Sequence, residues 1–189
     1  MRHANRVFTV GVCGAALLLV AAACNQQPPA GQPPANQPAA ATAQVHGNVV
    51  QVMRGILYPA SNVVFFAQAE DPTKVKLETG DPSTSPNPLS SSYGGWEAVS
   101  NAGIALSEAA NLLIIPGRVC MNGKPAPINN ADWQMWVEEL REAGAVAYKA
   151  GQSKSMDDVL NAADVMSTAC QNCHDKYREV EGGIPARCS

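Results

Sequence analysis

Five consecutive residues near the end of the chain read Cys170-Gln171-Asn172-Cys173-His174. Two thiols three residues apart, with an imidazole beside the second, form the attachment signature of a c-type haem. On a helix, positions i, i+3 and i+4 share one face. The thiols of Cys170 and Cys173 can then add across the two vinyl groups of one haem as thioethers. His174 stands beside the tethered ring as its proximal iron ligand. At this chain's Cys and His frequencies, the pattern would arise by chance roughly 0.003 times. Two other chemistries use similar residues. A structural zinc site wants a fourth ligand at suitable spacing, and the remaining histidines are His3 and His46. A thioredoxin-like redox pair wants a strand–turn–helix context, which a motif late in a long helix lacks. Elsewhere the sequence offers no nucleophile–base pair, no phosphate loop and no convergent carboxylates. An electron carrier is expected rather than an enzyme.

The elements that must position this motif are helical. From residue 46 onward no stretch keeps a period-two alternation, whereas four segments show helical spacing. The first is expected from about His46 to Gln68, with Val49, Val52, Met53, Ile56 and Leu57 on one face and a kink or break near Tyr58 before Pro59. The second runs from about Tyr93 to Ile115 and is stopped by Pro116-Gly117. The third begins after Asn130, a good N-cap, and carries Trp133, Trp136, Val137 and Leu140. The fourth begins at Ser155, with Asp158 as a capping-box variant, and continues past Tyr177. A short link near Gly151 makes the third and fourth antiparallel neighbours. The three tryptophans, Trp96, Trp133 and Trp136, are read as core or pocket packing. Met166, four residues before Cys170, is expected against the haem edge.

The chain's first part belongs to a different compartment of chemistry. Arg2, His3 and Arg6 precede a nearly unbroken apolar run from Val7 to Ala23, then Cys24. A basic start, an apolar core and small residues before a Cys resemble a bacterial lipoprotein signal, residues 1–23, with Cys24 as the lipidated first residue of the mature chain. An ordinary cleaved signal and an uncleaved anchor are the alternatives, and all three place the remainder outside the cytoplasm. Residues 24–45 are rich in Pro, Gln and Ala and uncharged, a composition for a disordered tether. Residues 46–189 then form one domain. The whole chain of 189 residues has a net charge of -3, and cleavage before Cys24 leaves eleven basic residues against sixteen acidic. No basic surplus supports nucleic-acid binding. Of the six cysteines, Cys13 leaves with the signal, Cys24 takes lipid, and Cys170 and Cys173 take haem. Cys120 and Cys188 remain, and in an oxidising compartment they are expected to form a disulfide, two free thiols being the alternative.

Residues 170–178, Cys-Gln-Asn-Cys-His-Asp-Lys-Tyr-Arg, resemble the C-terminal signature of class II c-type cytochromes, the group of cytochrome c′ and its low-spin relatives. The resemblance spans roughly residues 46–180 and is specific in the last helix. It implies an all-α, antiparallel four-helix bundle with one covalent haem inside. It also implies that Arg178, with Tyr177 beside it, lies near the haem and balances a propionate or tunes His174; an exposed helix-end cation is the plainer role. Low-spin members take a Met from helix one as distal iron ligand, which here is Met53. His46 is a rival, and an open or apolar distal face is the third outcome. Met121 is assigned to a loop and Met156 to a helix start. The implied function is a lipid-anchored periplasmic carrier of single electrons, with periplasmic or membrane redox proteins as partners and a homodimer left open. A five-coordinate binder of nitric oxide or carbon monoxide, or a haem-bearing subunit of a respiratory complex, are the alternatives.

Two acyl chains anchor stably where one is marginal. The protein is therefore expected to stay with membranes through a high-salt wash, and Cys24→Ser to release it or leave the signal uncleaved. Fractionation with mass analysis checks this; wild type that is soluble, with no acyl mass on Cys24, contradicts it.

Overall fold

Among the described residues, two of the four helices open on side chains that satisfy the first free N–H groups. The computed structural model describes residues 42–81 and 87–188. The signal segment, Cys24 and the tether up to residue 41 lie outside them. The first helix, α1 (Val49–Ala69), opens on a reciprocal box in which the Gln51 N–H donates to Asn48 Oδ1 and the Asn48 N–H to Gln51 Oε1, each at 2.9 Å. The box puts the start at Val49, three residues later than the expected His46.

The helix does not break at Pro59 but runs on through it. Met53–Leu57 forms a wider π-helical turn, with the Tyr58 N–H donating to the Met53 carbonyl. Proline has no N–H for the carbonyl four residues back, and its ring crowds that carbonyl. The wide turn accommodates both defects and the helix continues. It also shifts the phase of the helix, so the expected apolar face is corrected at one point: Leu57 is buried at 5% exposure, whereas Ile56 turns outward at 39%.

Trp96–Ala110 forms α2, followed by a 3-10 turn at Asn111–Ile114. Ala131–Ser153 forms α3 and Met156–Tyr177 forms α4, joined by Lys154 and Ser155 alone. At α4 the Asp158 N–H donates to the Ser155 hydroxyl at 3.3 Å, as the capping pattern predicts. Asn130 stands at the start of α3 without capping it; its side-chain amide donates to the Tyr177 hydroxyl at 3.2 Å. The link expected near Gly151 falls three residues later. Gly151 lies inside α3, where a Cβ would be 2.5 Å from the Ser100 nitrogen, so the close approach of α2 requires a glycine there.

The α2–α3 and α3–α4 pairs run in opposite directions where they touch. The Ser107 hydroxyl donates to the Arg141 carbonyl at 2.8 Å, and the Gln152 amide to the Ser100 hydroxyl at 3.0 Å, so α2 and α3 pair head to tail. Trp133 at the start of α3 meets Tyr177 at the end of α4, ring centroids 5.0 Å apart. Val64, Val99, Leu106, Trp133, Val159 and Met166 are buried in a core to which all four helices contribute. Among the described residues there is no strand; one isolated bridge pairs Val119 with Pro125. Cys120 and Cys188 are joined by a disulfide with Cα atoms 6.3 Å apart. Bridging a sequence separation of 68, it removes roughly 4 kcal/mol of unfolded-chain entropy.

Gly103 lets α2 and α3 approach backbone to backbone. A Cβ there would lie 2.3 Å from the Tyr148 nitrogen, and no rotamer change relieves that clash. Gly103→Ala is expected to lower stability by about 1–3 kcal/mol in urea unfolding, with helical circular dichroism retained. A change within about 0.5 kcal/mol of wild type contradicts this packing.

Candidate functional site

Cys170, Cys173 and His174 sit on the last turns of α4, and all three line one cavity of about 770 Å³. That volume lies within the usual range for small-molecule and cofactor sites, roughly 300–1,000 Å³. Trp133, Val137 and Leu140 of α3 form a second wall. The third comes from α1, in pairs spaced by four: Val49 and Val50, Met53 and Arg54, Leu57 and Tyr58, then Ser61. In a plain α-helix, steps of four drift about 40° each. The π-helical turn cancels part of that drift and keeps four successive turns on the cavity.

Burial sets the chemistry of the thiols. It pushes Cys173 up to about 12, with the nearby Cys170, Asp132 and Glu139 charges adding to it. Burial also raises Cys170. Both are neutral thiols at neutral pH. Burial lowers His174, and the Arg178 guanidinium lowers it further. The imidazole is thus neutral and has a lone pair for a metal. Arg178 Nη1 stands 3.2 Å from His174 Nδ1. An arginine only donates, so this contact leaves the lone pair on Nδ1. Coordination through Nε2 goes with release of Arg178, which already pairs with Glu179 at 3.1 Å.

Tyr177 closes the wall beside His174. Its hydroxyl donates to Asp132 Oδ1 at 2.7 Å, and its ring packs edge-on against Trp133 and Trp136, centroids at 5.0 and 5.7 Å. Trp133 donates its indole N–H to the Leu113 carbonyl at 3.2 Å. Trp96 is elsewhere, bonded to Thr73.

The structure brings Met53, Tyr177 and Arg178 to the same cavity as the Cys-His motif. It separates two other candidates. Met166 is fully buried in the core and is not among the residues that line the cavity. His46 lies exposed before the α1 cap, outside the cavity. The cavity residues that were not anticipated include Arg54, Met121 and Arg187. Met121 and Arg187 each adjoin a half of the disulfide, so the paired cysteines were the signal that could have found them. Among the described residues, no group of three or more His, Cys, Asp or Glu side chains could hold a metal ion by itself. No family model, curated protein or solved structure matches the chain.

Hydrogen bonds from Lys176 and Tyr177 hold the Asp132 carboxyl below its ordinary 3.8. Folding therefore favours the ionised form. The resulting stability is present above the unfolded value and is lost as pH falls through the folded one. Asp132→Asn is expected to flatten the acid limb of thermal stability: it should differ most from wild type at neutral pH and converge with it as pH falls through and below the lowered carboxyl range. Parallel curves over that whole range contradict the pairing.

Proposed function

We propose that this chain is a lipid-anchored monohaem c-type cytochrome on the periplasmic side of a bacterial membrane, carrying single electrons. The observation that carries the reading is the convergence of Cys170, Cys173 and His174 on one apolar cavity that Met53 reaches from another helix. A porphyrin brings four equatorial nitrogens, so one or two protein ligands complete its iron. The donor set fits that need. Two thiols on one helix face would hold the ring covalently, and the neutral imidazole beside the second would take the proximal position. Met53 would take the distal one. When bound, the haem supplies the one-electron couple. The protein's part is to hold, orient and dry it: Trp133, Tyr177 and Leu140 exclude water, and a thioether opposite His raises the potential. The head-to-tail pairing of successive helices supports an antiparallel four-helix bundle around the ring. Residues 25–45 would reach roughly 60 Å if fully polyproline-like, at about 3.1 Å per residue, letting the domain move between periplasmic or membrane redox partners.

One observation favours a second reading. Leu57 is buried and lines the cavity one turn after Met53. A ring covered by Leu57 instead of Met53 would keep an open iron face for nitric oxide or carbon monoxide.

Optical spectra of the purified protein decide between them. Wild type is expected to be low-spin in both oxidation states, and Met53→Ala to turn high-spin and bind carbon monoxide when reduced. Cys170→Ser or Cys173→Ser removes one thioether, and His174→Ala removes the proximal ligand. A wild type already high-spin in both states replaces the electron-carrier reading with the gas-binding one.

A further inference from the structure

After α4 the chain turns back on itself through a 3-10 turn at Ile184–Ala186 and reaches the cavity at Arg187 and Cys188. This tail is held at several points. Cys188 is disulfide-bonded to Cys120, and its N–H donates to the Tyr177 carbonyl at 3.0 Å. The Asn122 amide donates to the carbonyls of Arg187 at 2.8 Å and Pro185 at 3.1 Å. Arg187 Nε donates to the Arg178 carbonyl at 3.0 Å. Cys188 has φ of +63°, a conformation unusual for a residue with a Cβ, and it persists because the surrounding bonds fix it.

All these restraints converge on one half-buried guanidinium. Arg187 lines the cavity, and among the described residues it makes no ion pair with a carboxylate. With Nε committed to Arg178, the Nη groups remain as donors. Arg54 and Arg178 also line the cavity but are exposed, and Arg178 is engaged by Glu179 and His174. A cation held at an apolar cavity favours a ligand that brings its own negative charge, and the planar fork of arginine matches a carboxylate.

We infer that Arg187, positioned by the disulfide-pinned tail, anchors a carboxylate of the cavity's ligand. This rests on the proposed function, in which that carboxylate is a haem propionate. Arg187 is a positioning residue and takes no part in electron transfer itself.

Resonance Raman spectra of the purified full-length holoprotein test it through the propionate bending bands. R187Q is expected to shift one of the two bands while leaving the porphyrin spin-state marker bands in place. R187K keeps the charge and is expected to shift it less. The double variant C120S/C188S frees the tail and is expected to reproduce the R187Q spectrum; if it does not accumulate, R187Q and R187K decide. Propionate bands of R187Q that coincide with wild type overturn the assignment and leave the proposed function standing. A shift in R187Q with a wild-type spectrum in C120S/C188S supports the anchor and overturns the role of the tail. A wild type without covalent haem overturns the proposed function and the assignment together.

Discussion

A cavity of about 770 Å³ beside the end of α4 is the constraint to which the rest of the structure answers. Protein interiors hold few voids larger than a water molecule, so a chain that keeps such a space open must brace its walls by other means. Each wall has its own device. On α1 a π-helical turn keeps four successive turns pointed at the space. On α3 and α4 the Trp133, Trp136 and Tyr177 rings lock edge to face, and Asp132 and Asn130 satisfy the Tyr177 hydroxyl. At the open end a disulfide holds the tail. Away from the cavity the packing is tighter, with α2 and α3 in backbone contact at Gly103 and Gly151.

The same geometry explains the electrostatics. Burial makes both thiols reluctant to ionise and keeps His174 neutral. Charge is confined to the margin, in Arg54, Arg178, Arg187 and the Asp132–Lys176 pair. An apolar interior with neutral thiols and imidazole, rimmed by guanidiniums, suits a large apolar ligand with a negatively charged edge. A haem has that distribution of polarity, which is why the proposed function and the role given to Arg187 belong to one argument.

Much of this was legible in the sequence because it is local. The spacing of Cys170, Cys173 and His174 puts them on one helix face whatever surrounds them, and Ser155 caps α4 through its own neighbour. The Cys120–Cys188 pair followed from subtraction together with the antiparallel order of the last two helices. What was missed depends on contacts between distant segments. Pro59 announces a helix defect, but whether it ends the helix or widens a turn depends on what α1 faces. Gly151 looks like a link in sequence and is instead a gap left for Ser100. Asn130 has the chemistry of a cap, and the Tyr177 hydroxyl competes for it. Met166 and Met53 both lie on apolar faces; only the end of the cavity separates a core residue from a lining one. Arg187 and Met121 carry no pattern of their own and arrive at the site through the disulfide.

The central claim is that Cys170 and Cys173 hold one haem covalently. The most direct test is the intact mass of the purified wild-type protein after denaturation and acid–acetone extraction. The account predicts the mass of the acylated mature polypeptide plus one haem, with the haem colour remaining on the protein. A mass without the haem increment, with the colour in the acetone phase or no colour at all, contradicts it.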